Sequence, residues 1–310
     1  MVTATAGGLK TWFLETRPQF LILTPICVLV GVAAAAYDDF HLNPVHVVLT
    51  LVGALLAHIS VNVLNDYFDY RSGIDLAAKR TPFSGGSGIL PAGLLKAQQV
   101  YLFGLASLIG VGAIGIYFTI EYGWKILPLG VAGMLVVYLY TTHITRNPLL
   151  CAIAPGLGFG PLMVVGTYFT QTGEYSVTAG LASLVPGFLV SNLLLLNQFP
   201  DVEADKVASR RHIPIAYGRR FSARVYAVLM AATYVSLAVA VGFRVLPLTA
   251  LIGLLTLPLA VRTVMGALKN YDDMDELMPS LGMNIQVILL TTLLTGVGIL
   301  LGLLLPDSLR

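Results

Sequence analysis

Charge is what this 310-residue sequence has least of: Asp, Glu, Lys and Arg together make up 11% of it, while 56% is hydrophobic. An ordinary soluble domain carries about a quarter charged residues. A water-exposed globule of this size would lack polar surface, so the soluble class is a poor fit. Charge of one sign is also missing. The 18 basic side chains nearly balance the 16 acidic ones, leaving no field to hold a nucleic acid. Only two cysteines occur, Cys27 and Cys151, both inside apolar stretches; neither a disulfide framework nor a thiolate metal site follows. The glycine-rich segment TPFSGGSGILPAG at 81–93 lacks the following Lys-Ser/Thr of a phosphate-binding P-loop. It reads as a plain linker or as a flexible loop over a site.

Apolar runs are what the sequence has in quantity. Nine of them recur, near 18–36, 44–64, 98–119, 126–141, 149–169, 180–199, 225–243, 245–266 and 284–305. A helix needs about 20 such residues to cross the hydrocarbon layer, and the fourth run is short by that measure. Prolines inside the runs (Pro25, Pro155, Pro161, Pro186, Pro258) are tolerated in buried membrane helices better than in central strands. The first run has no small-residue cleavage signal and reads as a retained span. With the N-terminus placed inside, alternation through nine spans puts fifteen of the eighteen basic residues on the cytoplasmic side, as the positive-inside bias requires. The expectation is an all-α polytopic membrane protein, one domain over 1–310, with nine transmembrane helices around a central cavity and a cytoplasmic N-terminus.

Two acidic clusters stand at the ends of the second and sixth runs. In NVLNDYFDYRSGID (62–75), Asn62, Asp66 and Asp69 fall within about 60° of one another on a helix. Ser72-Gly73 offers a turn that returns Asp75 to the same side. In NQFPDVEADK (197–206), Asn197, Asp201 and Asp205 share about 80° of one face, and Pro200 could kink the helix there. A single cluster of this kind is equally well a solvated helix end. Two of them on one side of the membrane, each with an Asn four residues before an Asp, point to joint binding of a cation, because neighbouring acids at membrane depth repel unless compensated. Oxygen donors without thiolate or imidazole suit a hard ion such as Mg²⁺. Lys79, Arg80, Lys206, Arg210 and Arg211 follow the clusters; positive-inside bias explains them alone, and a diphosphate site explains them together with the acids.

At these two clusters the sequence resembles the UbiA superfamily of intramembrane prenyltransferases, over nearly the whole chain. The resemblance implies nine helices, with acid-rich motifs on the second and sixth. It implies that Asn62, Asp66, Asp69, Asn197, Asp201 and Asp205 bind Mg²⁺ and with it the diphosphate of a polyprenyl donor, the four aspartates being catalytic. By position, Asp75, Lys79, Arg80, Lys206, Arg210 and the loop residue Arg146 are the candidate diphosphate-binding residues, with positive-inside bias as the alternative for the basic ones. NDYFDYRSGID, GGSGILP and GPLMVVGTYFTQTG resemble the branch that prenylates 1,4-dihydroxy-2-naphthoate in menaquinone synthesis. That branch has Gly-Leu-Gly-Glu where this chain reads GLGF (156–159).

Tyr138, Tyr140, His143 and Phe159 mark the expected acceptor or carbocation region. His143 reads as loop decoration or as an acceptor-binding group, and the tyrosines as interfacial aromatics or as a ring beside a carbocation. Asp272, Asp273, Asp275 and Glu276 read as a solvated loop. The expected chemistry is Mg²⁺-dependent transfer of a polyprenyl group to an aromatic acceptor in the inner or plasma membrane, with the site facing the cytoplasm. Rivals are a terpene cyclase of the same superfamily, prenyl transfer to a carotenoid or glycerol lipid, and a cation-coupled secondary transporter.

Overall fold

The computed structural model describes residues 7–77, 85–207 and 210–306, and every regular element within them is helical. Eight helices are long and apolar enough to cross a membrane: α1 (Pro18–Tyr37), α2 (Pro44–Ser72), α3 (Ala97–Tyr122), α5 (Pro148–Thr172), α6 (Val177–Val207), α7 (Arg219–Gly242), α8 (Leu248–Lys269) and α9 (Met274–Gly302). Between α3 and α5 lies α4 (Trp124–Leu139), apolar but shorter. All nine runs are thus helical, and the fourth falls below spanning length. Local chemistry sets several starts. Pro18, Pro44 and Pro148 occupy first-turn positions where no N–H is needed. Asn43 and Asn147 cap α2 and α5 by accepting from backbone N–H groups one turn on.

Each helix packs against its neighbour in sequence, and α9 returns to α1, closing a ring. Helices α1, α5 and α6 also touch one another, and α6 reaches α9 across the middle. The main core runs through these helices and α7, with Leu189, Phe199, Tyr226, Leu237, Leu281 and Ile288 buried. The outer faces are apolar too: Ile109, Ile116, Ile120, Val228, Val235 and Met265 are exposed, which suits a lipid solvent.

Glycine brings α5 against α6. A Cβ on Gly160 would lie 2.5 Å from the Ser183 carbonyl oxygen and 2.7 Å from Gly187 Cα, and one on Gly156 would collide with Gly187 O and Ser191 Oγ. Small residues four apart give this close backbone approach between membrane helices. Beside it, α5 widens into a π-helical stretch, Gly158–Val165, that contains Pro161; such widenings are common near functional sites. Helix α6 continues through Pro200.

Candidate active site

The ends of α2 and α6 bring the two acidic clusters together. Gly73, at φ +84°, ends α2 in the left-handed conformation that glycine adopts without strain. The short helix Ile74–Ala77 follows and buries Asp75, as the Ser72-Gly73 turn predicts. The glycine-rich segment then lies against these acids. A Cβ on Gly86, itself at φ +71°, would be 3.0 Å from both Asp75 carboxylate oxygens. The neighbouring Ser87 donates its backbone N–H to Asp66 Oδ2 at 2.8 Å. Ile89 and Leu90 anchor this segment in a small apolar cluster with Val63 and Val100. Of the two readings of 81–93, the described part, 85–93, is docked on the site.

Arginines compensate the buried acids. Arg17 pairs with Asp66. Arg210 pairs with Asp69 and, through Nη1, with Asp205 Oδ1 at 3.0 Å, so one guanidinium ties the first cluster to the second. His212 Nε2 hydrogen-bonds Asp205 Oδ2 at 3.0 Å. Arg17 stands at φ +54°, ψ +60° between the helix Leu9–Glu15 and Pro18, a conformation uncommon outside glycine and frequent at functional sites. Burial works against the charge of both arginines, but Asp66, Asp69 and Asp75 outweigh it at Arg17, as Asp69 and Asp205 do at Arg210, so both hold their protons more tightly than usual. Burial, then Asp69 and Asp66, push Asp75 up to about 7. Glu15 is pushed up to about 8 by burial and then by Asp66.

Two chambers open here. The polar one, about 130 Å³, is walled by Asp69, Asp75, Asp201, Asp205, Arg17 and Arg210, with Asn197 and the glycines 85 and 86. The other, about 210 Å³, is largely apolar and runs between α1, α2, α4, α5, α6 and α9, with Phe20, Phe159, Val190, Leu193 and Ile288 among its walls. Arg17, Asn65, Tyr140, Leu194 and Asn197 wall both, so a charged head and an apolar tail can occupy the two at once. Phe159 stands edge-on to His58, with ring centroids 4.7 Å apart.

The expected site residues divide by position. Asp69, Asp75, Asp201, Asp205 and Arg210 line the polar chamber, Asn62 and Phe159 the apolar one, and Asn197 and Tyr140 both. Asp66 sits behind the wall, engaged by Arg17 and Ser87. Tyr138, His143, Arg146 and Lys206 line neither chamber: Tyr138 meets Tyr101, His143 meets Thr142, and Lys206 pairs with Glu203 at the surface. Arg146 is exposed while its neighbour Thr145 lines the polar chamber. Lys79 and Arg80 lie outside the described residues. Asp272, Asp273, Asp275 and Glu276 are exposed, and Asp273 caps α9 by accepting from the Glu276 N–H. The sequence reading missed Glu15, Arg17, Asn65, Ser87, Gln198 and His212. Only Arg17 carried a signal, a basic charge beside Pro18 at the mouth of an apolar run.

The donors at the two clusters are carboxylate and amide oxygens, the set that suits a hard cation. Asn197 Oδ1 and Asp75 Oδ2 are buried without a hydrogen-bond partner among the described residues, and such atoms call for a ligand. Among the described residues no three acidic, histidine or cysteine side chains already converge on a metal position, and arginines pair with Asp66, Asp69 and Asp205. The residues fit Mg²⁺ by donor type.

A sequence model described as the UbiA prenyltransferase family matches residues 24–288. The chain belongs to that family. It is a membrane-embedded prenyltransferase. Similar curated proteins include the 1,4-dihydroxy-2-naphthoate octaprenyltransferase of Haemophilus influenzae, 27% identical over 95% of this chain and 97% of the relative. The protein of the same name from Escherichia coli is 26% identical over 94% and 96%. Among solved structures, a UbiA homologue of Aeropyrum pernix matches this prenyltransferase fold with a TM-score of 0.71 at 15% identity, over 92% of this chain and 98% of the other. A UbiA homologue of Archaeoglobus fulgidus, solved bound to DMAPP and Mg²⁺, matches with a TM-score of 0.63 at 16% identity, over 93% and 99%.

Proposed function

We propose that the protein transfers a polyprenyl group from its diphosphate to an aromatic acceptor, 1,4-dihydroxy-2-naphthoate, releasing diphosphate on the cytoplasmic side of the inner or plasma membrane. The observation that carries this reading is the pair of chambers with a shared wall, one charged and one apolar, which match the two halves of a prenyl diphosphate. The names of the naphthoate octaprenyltransferases similar along almost the full chain support the acceptor.

In this reading Asp66, Asp69, Asn197, Asp201 and Asp205 hold Mg²⁺, with Asn62 one turn before Asp66. Bound there, Mg²⁺ supplies Lewis-acid stabilisation of the charge that develops on the leaving diphosphate. Arg210 and Arg17, which hold their protons tightly, add fixed positive charge beside the same oxygens. Asp75 and the Gly85–Gly86 backbone close the chamber around them. At the junction Tyr140 and Asn65 face C1 of the donor, where the carbon–oxygen bond to diphosphate breaks with its electron pair leaving on the diphosphate. A ring carbon of the acceptor forms the new bond to C1 and then gives its proton to a base or to water, which restores aromaticity. The apolar walls keep water from the cation. Phe159, an aromatic ring in the wall of the tail chamber where the naphthoate branch has a glutamate, is the observation that favours a cyclase as the second reading.

The test is Mg²⁺-dependent diphosphate release by solubilised protein with C15 and C20 prenyl diphosphates, with and without the naphthoate, read by product mass. A naphthoate-plus-prenyl mass is expected, and Asp66→Ala or Asp201→Ala should lower release by at least two orders of magnitude, in line with the ~10²–10³-fold cost of losing one transition-state charge partner. Acceptor-independent hydrocarbon or alcohol products would favour the cyclase. Full activity in both variants would refute the metal assignment.

A further inference from the structure

The short helix Leu9–Glu15 faces two ways. Leu9 and Phe13, four residues apart, are exposed apolar side chains, whereas Thr11 and Glu15, also four apart, are fully buried. One stripe turns outward and the other onto the protein. The chain here grips the glycine-rich segment near both its ends. The Gly7 N–H donates to Leu94 O at 3.1 Å, and the Ser87 hydroxyl donates to Glu15 Oε2 at 2.9 Å. Trp12 packs edge-on against Phe103 of α3, with centroids 5.4 Å apart, which fixes the helix just beyond the segment. Ser87 also gives its backbone N–H to Asp66 Oδ2, so a single residue joins Glu15 to the first acidic cluster.

A carboxyl group is a costly way to fill this position. Glu15 Oε1 is buried with no hydrogen-bond partner among the described residues, and burial, Asp66 and Asp75 oppose a negative charge there, with Arg17 and the Ser87 hydrogen bond only partly offsetting them. An apolar side chain of similar volume would fill the space at lower cost. What it could not do is accept from the Ser87 hydroxyl and so fix how the turn 85–88 sits on Asp66.

We propose that Glu15 is a positioning residue for the donor site: through Ser87 it clasps the glycine-rich turn onto Asp66, so that the Gly85–Gly86 backbone closes the polar chamber over a prenyl diphosphate. The role rests on the donor reading given above. It makes the segment before the first span part of the active site, although Glu15 touches neither donor nor acceptor.

The experiment is a double-mutant cycle on the full-length protein with Glu15→Ala, Ser87→Ala and the pair, beside Glu15→Gln, which keeps an acceptor for the serine. The readouts are donor KM and kcat with the C20 diphosphate, the thermal midpoint, and amide hydrogen exchange of residues 85–94 without substrate. Each alanine variant should raise donor KM about five- to tenfold, the worth of one hydrogen bond. The pair should cost no more than either alone, Glu15→Gln should recover most of the loss, and exchange in 85–94 should quicken in both alanine variants. Unchanged exchange, additive KM effects, or a lowered thermal midpoint with donor KM intact would each overturn the clasp. Quickened exchange supports it even if wild-type protein released no diphosphate from any donor, a result that would instead refute the donor reading.

Discussion

Arg210 holds both acidic clusters at once, and this gives its removal opposite effects on two ligands. Its side chain, 15% exposed, pairs with Asp69 and Asp205, whose oxygens are those proposed to hold Mg²⁺. A cation entering alone must displace at least one of these charged hydrogen bonds, each worth about 1.5–3 kcal/mol net. Arg210→Gln removes that competition and leaves two carboxylates uncompensated. Cation affinity without donor should therefore rise by about ten- to a hundredfold for one displaced bond and by about a hundredfold or more for two, at ~1.4 kcal/mol per decade. Donor affinity should fall in the same variant, because the guanidinium no longer reaches the diphosphate. Mn²⁺ titration followed by electron paramagnetic resonance, with and without prenyl diphosphate, measures both. Losing one partner of a buried pair also destabilises the fold by about 3–5 kcal/mol, so the titration belongs at a temperature where the thermal midpoint shows the variant folded. Cation binding by Arg210→Gln as weak as wild type, in folded protein, would refute the competition.

Glu15 supplies a pH dependence. Its carboxyl is raised from an ordinary 4.5 to about 8, so the folded state holds the proton more tightly than the unfolded chain. The resulting stability is complete below about 4.5 and is lost as pH rises through 8. Asp75, raised to about 7, acts in the same direction, with Asp66 and Asp69 opposing its ionisation and Arg17 and Arg210 favouring it. The thermal midpoint of ligand-free protein should fall between pH 5 and 9, and Glu15→Gln should flatten the slope; a midpoint rising with pH would contradict the assignment. At the α5–α6 contact, Gly160→Ala places a methyl group 2.5 Å from the Ser183 carbonyl. It should cost about 1–3 kcal/mol, seen as a lower thermal midpoint in detergent, whereas Gly130→Ala, with open space at its Cβ, should not.

The acidic clusters were readable because helical periodicity carries them: Asn62, Asp66 and Asp69 share a face by spacing alone. The return of Asp75 was readable for a similar reason, since Gly73 permits the turn. His143, Arg146 and Lys206 were attractive by residue type and nearness along the chain, yet a step of one residue decides whether a side chain faces a chamber: Thr145 rather than Arg146 and Asp205 rather than Lys206 do so here. Glu15 and His212 gave no pattern at all, because each acquires its role from a partner far away in the chain or from a turn that periodicity does not describe.

Residue order is enough to make the chain a bundle of membrane helices with two oxygen-rich clusters, because hydropathy and the 3.6-residue period are local properties that survive without knowledge of neighbours. Tertiary structure alone decided that Arg210 bridges those clusters, that Arg17 covers Asp66, and that the glycine-rich turn closes on them from Glu15. These pairings span sequence separations of 141, 49 and 72 residues. Contacts at such distances depend on which helix ends the packing brings together, and no local propensity encodes that.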